Sequence, residues 1–280
     1  MTTQHFPSLD AHAIGGTKDA LHAYSRVIGA WLKTCQPKRK HWWHASLRPS
    51  LSGLSSGVIH AGVDIELELN LIESQLRGRT SIGEVMTENL HGQSPIELAS
   101  RIQKFMLAAG VSSDCIPELN GVDSEELTGF DPEYAFKLGR AINAVSAALL
   151  QFRAGIREET SPVQLWPHHF DLSMLWLPGP KIAGQDPDNE EYADKQMNFG
   201  FTFGDETIPE PYFYVTAYPL PAALAELRLP AGTTWQTGDF SGAVLRYADL
   251  VRSTDPQSYL NNLWFQLLSA GRVHMLESSN

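Results

Sequence analysis

The run Val63-Asp64-Ile65-Glu66-Leu67-Glu68-Leu69-Asn70 alternates apolar and polar residues without a break. Side chains on an extended strand point to opposite faces in turn, so this run is a strand with one oily face and one polar face. A sheet built from such strands needs something apolar laid over one side and leaves the other for water, a partner or a ligand. Phe213, Val215 and Ala217 alternate in the same way with Tyr212, Tyr214, Thr216 and Tyr218. His41 to Arg48 and Gln164 to Leu177 are also read as strands. On that reading His41, Trp43, Ala45 and Leu47 oppose Trp42, His44, Ser46 and Arg48, while His168, Phe170, Leu172 and Met174 oppose His169, Asp171 and Ser173.

Helical stripes supply the covers. Leu21, Tyr24, Val27, Ile28, Trp31 and Leu32 recur at helical spacing over Thr17 to Thr34. Ser94-Pro95-Ile96-Glu97 opens a second helix with a capping serine and a proline in the first turn, and Gly110 ends it. Asp131-Pro132-Glu133 opens a long helix whose stripe runs from Tyr134 to Ile156, and Pro256 starts a last helix that Gly271 is expected to stop. Met197 to Phe203 and Phe240 to Tyr247 are further strands. The fold class is α+β: two pseudo-repeated helix–antiparallel sheet–helix halves packed as one compact unit. The halves are residues 1–115 and 131–280, joined by an acidic linker over 116–130. The repeat rests on the gapless match of His41-Trp42-Trp43-His44-Ala45-Ser46-Leu47 with His168-His169-Phe170-Asp171-Leu172-Ser173-Met174, and of Leu107-Ala108-Ala109-Gly110 with Leu268-Ser269-Ala270-Gly271.

The 280-residue chain is 42% hydrophobic and 19% charged, a globular balance, with a formal net charge of -11. That sign repels phosphate backbones and anionic lipid, so neither nucleic acid nor membrane is an expected partner. No stretch approaches the roughly 20 apolar residues of a membrane span, and the start lacks the pattern of a signal peptide. Two cysteines, Cys35 and Cys115, make no disulfide framework, and a cytoplasmic location fits them.

The polar strand faces carry the candidate site. Trp42, Arg48, His169, Tyr212, Tyr214 and Tyr218 combine aromatic area with polar anchors, the mixture that small-molecule pockets use. His44 and Asp171 are the candidate catalytic pair, an imidazole for acid–base work and a carboxylate to orient it. The expected function is binding of a small molecule in a polar, aromatic pocket between the halves, with the loop Pro178 to Gln196 as a lid. Two alternatives stand beside it. One is a non-catalytic module for protein interaction or self-association. The other is a mononuclear non-haem iron enzyme with His44, His169 and Asp171 as ligands. The sequence names no cofactor, no assigned metal ligand set and no oligomeric state.

Other motifs point less far. Gly53-Leu54-Ser55-Ser56-Gly57 has the spacing of a nucleophile elbow, but a strand follows it where a helix is required, so it is read as a hairpin or loop. Lys38-Arg39-Lys40 is read as charge at a helix C-terminus. Arg153 and Arg157 share one helix flank, read as a solvated face.

Several segments resemble one family. His41-Trp42-Trp43-His44, Phe130-Asp131-Pro132-Glu133-Tyr134-Ala135, Phe152-Arg153-Ala154, Ser161-Pro162-Val163, Phe170-Asp171-Leu172 and Glu210-Pro211-Tyr212-Phe213-Tyr214 to Tyr218-Pro219 are similar to signatures of the bacterial family catalogued as domain of unknown function 5996. The resemblance implies a bacterial cytosolic protein and transfers no activity. Members of that family can carry small residues where this chain has His168 and His169, which weakens the iron alternative.

Overall fold

The computed structural model describes residues 6–118, 122, 124–189, 191–238 and 240–276. In chain order the elements are α1 (Gly15–Cys35), β1 (Arg48–Pro49), β2 (Gly53–Ala61), β3 (Val63–Asn70), β4 (Gln75–Thr80), β5 (Val85–Asn89), α2 (Pro95–Ala108) and α3 (Pro132–Ala154). There follow β6 (Glu159–Thr160), β7 (Gln164–Trp166), β8 (Asp171–Leu177), β9 (Gln196–Thr202), β10 (Tyr212–Tyr218), α4 (Ala222–Ala225), β11 (Thr233–Gln236), β12 (Gly242–Arg246), α5 (Tyr247–Arg252) and α6 (Pro256–Met275). Short 3-10 turns lie at Lys40–Ala45 and Ser113–Cys115. The chain is α+β, with antiparallel sheets. No helix among the described residues is long and apolar enough to cross a membrane. The linker assigned to 116–130 lies partly outside the described residues.

The chain divides into two compact units. One consists of Leu9–Asn143 and Gln164–Phe170. Its sheet is a meander in the order β1-β2-β3-β4-β5. Ile65, Leu67 and Leu69 of β3 are buried as the alternation requires. Glu66 and Glu68 on the other face are held by hydroxyls: Ser55 donates to Glu66, and Ser50 and Ser52 donate to Glu68. Helix α1 packs on β2 and on α2, and Tyr24 donates its hydroxyl to the Gln93 carbonyl at 2.9 Å. Phe105 of α2 lies over Gly78 of β4, where a Cβ would come within 2.6 Å of its ring. The cap of α2 forms as the sequence predicts, with Ser94 Oγ accepting from the Glu97 N–H.

The segment Gly53 to Gly57 is not a loop but the start of the first strand of the β2–β3 hairpin. It belongs to β2, whose register against β3 shifts between Ser55 and Val58. Gly57 sits at φ +64°, so the extra residue of this bulge occupies a conformation that glycine adopts without steric cost.

The second unit consists of the described parts of Met1–Ser8, Ala144–Val163 and Asp171–Asn280. Its strands follow the order β11-β12-β10-β9-β8-β6. The oily face carries Met174, Trp176, Phe199, Phe201 and Phe213, all buried. Phe152 of α3 meets Phe199 at 4.8 Å and Trp264 of α6 at 5.2 Å between ring centroids. Gly271 does not stop α6. The helix continues to Met275, and Gly271 serves as a contact point where a Cβ would lie 2.2 Å from the Met197 sulfur. The strand orders of the two sheets differ, and the matched segments His41 to Leu47 and His168 to Met174 have different backbones, so the internal repeat is not visible in either feature.

Candidate functional site

Two expected strands are not strands where the site residues lie. Lys40–Ala45 is a 3-10 turn, and His41 (φ 50°, ψ 29°) and Trp42 (φ 57°, ψ 22°) are both left-handed. Such a conformation costs a non-glycine residue about 1–3 kcal/mol, so the surroundings must hold it. His168 and His169 are exposed in a turn that ends at Phe170 (φ 56°), and β8 begins only at Asp171. The strand alternation that grouped His169 with Asp171 therefore does not apply. Grouping by side chain survives in the first segment: His41 stacks with Trp43 at 5.9 Å and Trp42 with His44 at 5.7 Å.

The turn is held by a polar network inside its own unit. Leu47 and Leu165 exchange backbone hydrogen bonds at 3.0 and 2.9 Å, which brings Gln164 beside Ser46 and Arg48. Arg48 Nη1 donates to Gln164 Oε1 at 2.6 Å and to Ser46 Oγ at 3.0 Å, and Nη2 donates to the Trp43 carbonyl at 3.3 Å. No carboxylate pairs with Arg48 among the described residues. Burial, and then the charge of Arg39, push its guanidinium down to about 10. The Arg39 backbone N–H donates to His44 Nδ1 at 3.2 Å. That nitrogen must present a lone pair, so His44 is neutral and carries its proton on Nε2.

Cations surround the indoles. Lys33 and Lys38 lie 5.3 and 5.4 Å from the Trp42 ring, and Lys40 and Arg39 lie 5.3 and 5.9 Å from the Trp43 ring. Two donors in the network have no partner among the described residues. The side-chain NH2 of Gln164 (0% exposed) and the indole N–H of Trp43 (6% exposed) are both buried and unbonded. Most buried donors are bonded, so these two, on residues that hydrogen-bond Arg48 through other atoms, stand out.

The other expected residues belong to the second unit. Tyr214 is buried and donates its hydroxyl to Asp171 Oδ2. Its ring lies over Gly200 of the intervening strand, where a Cβ would sit 2.2 Å from the ring carbon bearing the hydroxyl. Burial, and then the Asp171 carboxylate, raise the Tyr214 phenol well above its usual range. Tyr212 donates to Asp205, and its ring is 6.3 Å from that of Tyr214. Tyr218, at the far end of β10, meets Tyr192 at 5.0 Å. The structure thus joins Tyr214 with Asp171, and Trp42 with His44. His169 stands beside His168, ring centroids 4.3 Å apart. The expected lid, Pro178 to Gln196, is pinned by a bridge between Lys181 and Asp194.

Among the described residues no three His, Cys, Asp or Glu side chains group as metal ligands. Of the exposed apolar residues of the first sheet, Val58 lies within β2. Leu51 and Ile72 sit in turns at one end of the strands, and Ile82 and Val85 lie at the other.

The residues that sequence reasoning missed are Trp43, Ser46 and Gln164, together with Arg39 and Lys33. One signal points to the two cations, Arg39 and Lys33, alone. No acidic residue occurs between Asp19 and Asp64, although the chain carries a net charge of -11.

A family model described as "Family of unknown function (DUF5996)" matches residues 6–271, nearly the whole chain. The chain belongs to that family. No curated protein and no solved structure matches it.

Proposed function

We propose that the chain binds a small anionic molecule, a carboxylate or phosphate compound, at the turn formed by Lys40–Ala45 and Arg48. The observation that carries this reading is the guanidinium of Arg48, largely buried and bonded only to neutral acceptors. Neutral oxygens solvate a cation without cancelling its charge, and a buried charge without a counter-ion is costly. A ligand anion would supply that counter-ion. The unbonded Gln164 and Trp43 donors would help to bind it, and the Trp42 indole would offer apolar area.

His44 takes a specific part in this reading. Its Nε2 proton makes it a hydrogen-bond donor. The Asp171–Tyr214 pair and Tyr212 form a second polar group, proposed as a site of their own unit.

The test is calorimetric titration of the purified chain with inorganic phosphate and, separately, with acetate and succinate, at constant ionic strength set by chloride. Saturable binding that Arg48→Met weakens at least tenfold supports the proposal. Heats no different from added chloride, in both wild type and variant, would sink it.

A further inference from the structure

The two cysteines of the chain are 80 residues apart in sequence and meet in the fold. Cys35 is the last residue of α1, and Cys115 is the last residue of the 3-10 turn Ser113–Cys115. Cys35 Sγ donates to the Cys115 carbonyl at 3.2 Å, and the two thiols are close enough to influence each other electrostatically. Both are free thiols, and each is partly exposed. Helix α1 packs against the turn that carries Cys115, so both sulfurs sit on ordered backbone within one unit.

Chance does not often pair the only cysteines of a chain in this way. Disulfides require close Cβ atoms, and a sulfur 3.2 Å from the other cysteine's backbone carbonyl places the two residues side by side, as that geometry needs. We propose that Cys35 and Cys115 form a reversible disulfide by exchange with a low-molecular-weight disulfide. The inference stands apart from the anion site and does not depend on it.

The exchange runs in two steps. The Cys115 thiolate attacks one sulfur of the small disulfide, forms a mixed disulfide and releases one small thiol. Cys35 then gives its proton to solvent and attacks the Cys115 sulfur, which expels the second small thiol. Two protein thiols are oxidised, and one small disulfide is reduced to two thiols. Burial and the neighbouring thiol push Cys35 up to about 12, so it is a poor first nucleophile and a resolving one. The closing step should therefore speed up by roughly tenfold per pH unit across the neutral and mildly alkaline range, as the thiolate fraction grows.

The bond would tie the segment just before residues 116–130 to the end of α1, immediately ahead of Pro37 and Lys38. Transient disulfides of this kind occur even in reducing compartments, where they serve as redox sensors.

The experiment uses the intact native chain and oxidised glutathione at mildly alkaline pH. Expected are the loss of both titratable thiols, an intact mass lower by two hydrogens, a cross-linked Cys35–Cys115 peptide after proteolysis, and full reversal by dithiothreitol. Cys115→Ser should stay unmodified or react slowly, while Cys35→Ser should hold a stable glutathione adduct at Cys115. Two stable glutathione adducts on the wild-type chain would overturn the proposal. So would native thiols that stay unreacted while the same chain in denaturant closes.

Discussion

Two arginines, one in each unit, show opposite ways of placing a guanidinium inside a fold. Arg272 of α6 makes a bidentate pair with Glu158, Nε and Nη2 each donating at 2.7 Å. The hydrogen bonds and charge of that carboxylate raise the Arg272 guanidinium and hold the Glu158 carboxyl down at about 2. Arg48 has comparable hydrogen bonds, but every acceptor is neutral, and its guanidinium is pushed down. Hydrogen-bond count is therefore a poor guide to whether a buried charge is settled, and the charge of the acceptor decides it. The Arg272 pair is a structural tie, complete within the chain. Arg48 has no such carboxylate among the described residues, and the proposed anion would take that place.

The sharpest way to break this contrast is Arg48→Met, which keeps the apolar stem and removes the charge. Anion affinity should fall at least tenfold in calorimetry, while unfolding in urea should shift by less than about 1 kcal/mol, because losing an unpaired buried charge offsets the lost hydrogen bonds. A loss of about 3 kcal/mol with anion binding unchanged would make Arg48 a structural tie like Arg272. The mirror variant, Arg272→Met, should leave anion binding intact and cost about 1 kcal/mol, the scale of a well-formed but partly exposed ion pair. Chemical denaturation at neutral pH checks it.

The acid limb sharpens the contrast further. The Glu158 carboxyl is depressed in the folded chain, so its stabilising contribution is whole above its ordinary value of 4.5 and disappears as pH falls through about 2. Unfolding free energy measured across that window should decline less steeply in Glu158→Gln than in the wild type. Equal slopes would show that Arg272 draws nothing from the pair. The smallest effect is expected from Ser46→Ala, which removes one of three neutral acceptors around Arg48. Stability should fall by about 0.5 kcal/mol, and anion affinity should stay the same or rise. A marked drop in affinity would mean that Ser46 Oγ contacts the ligand directly.

Much of the scaffold could be read from residue order, because its signals are local. The alternation of Val63 to Asn70 became β3, the stripe from Leu21 to Leu32 became α1, and Ser94 caps α2. The turn at His41–Trp42 could not be read in this way. Tryptophan and histidine at alternate positions suit a strand, and what overrides that preference is distant: the Leu47–Leu165 backbone pairing and the Gln164 acceptor. The same holds at His168 and His169, where the chain turns before β8 starts. Glycine often stops a helix, yet at Gly271 a sulfur from β9 fills the space the missing side chain leaves and α6 runs on. Of the candidate site, Trp42, His44 and Arg48 were legible as residues. Their backbone was not, nor was Gln164, which has no local signal at all.

The reliance of the Lys40–Ala45 turn on Gln164 has a consequence for how the binding site comes into being. Ser46 and Gln164 are separated by 118 positions, so the first half of a nascent chain cannot complete the turn when it emerges. Two successive left-handed residues have little reason to persist until the later segment arrives. The proposed anion site should thus be among the last features to mature during synthesis, and capture of a ligand there would report that most of the polypeptide has already found its place.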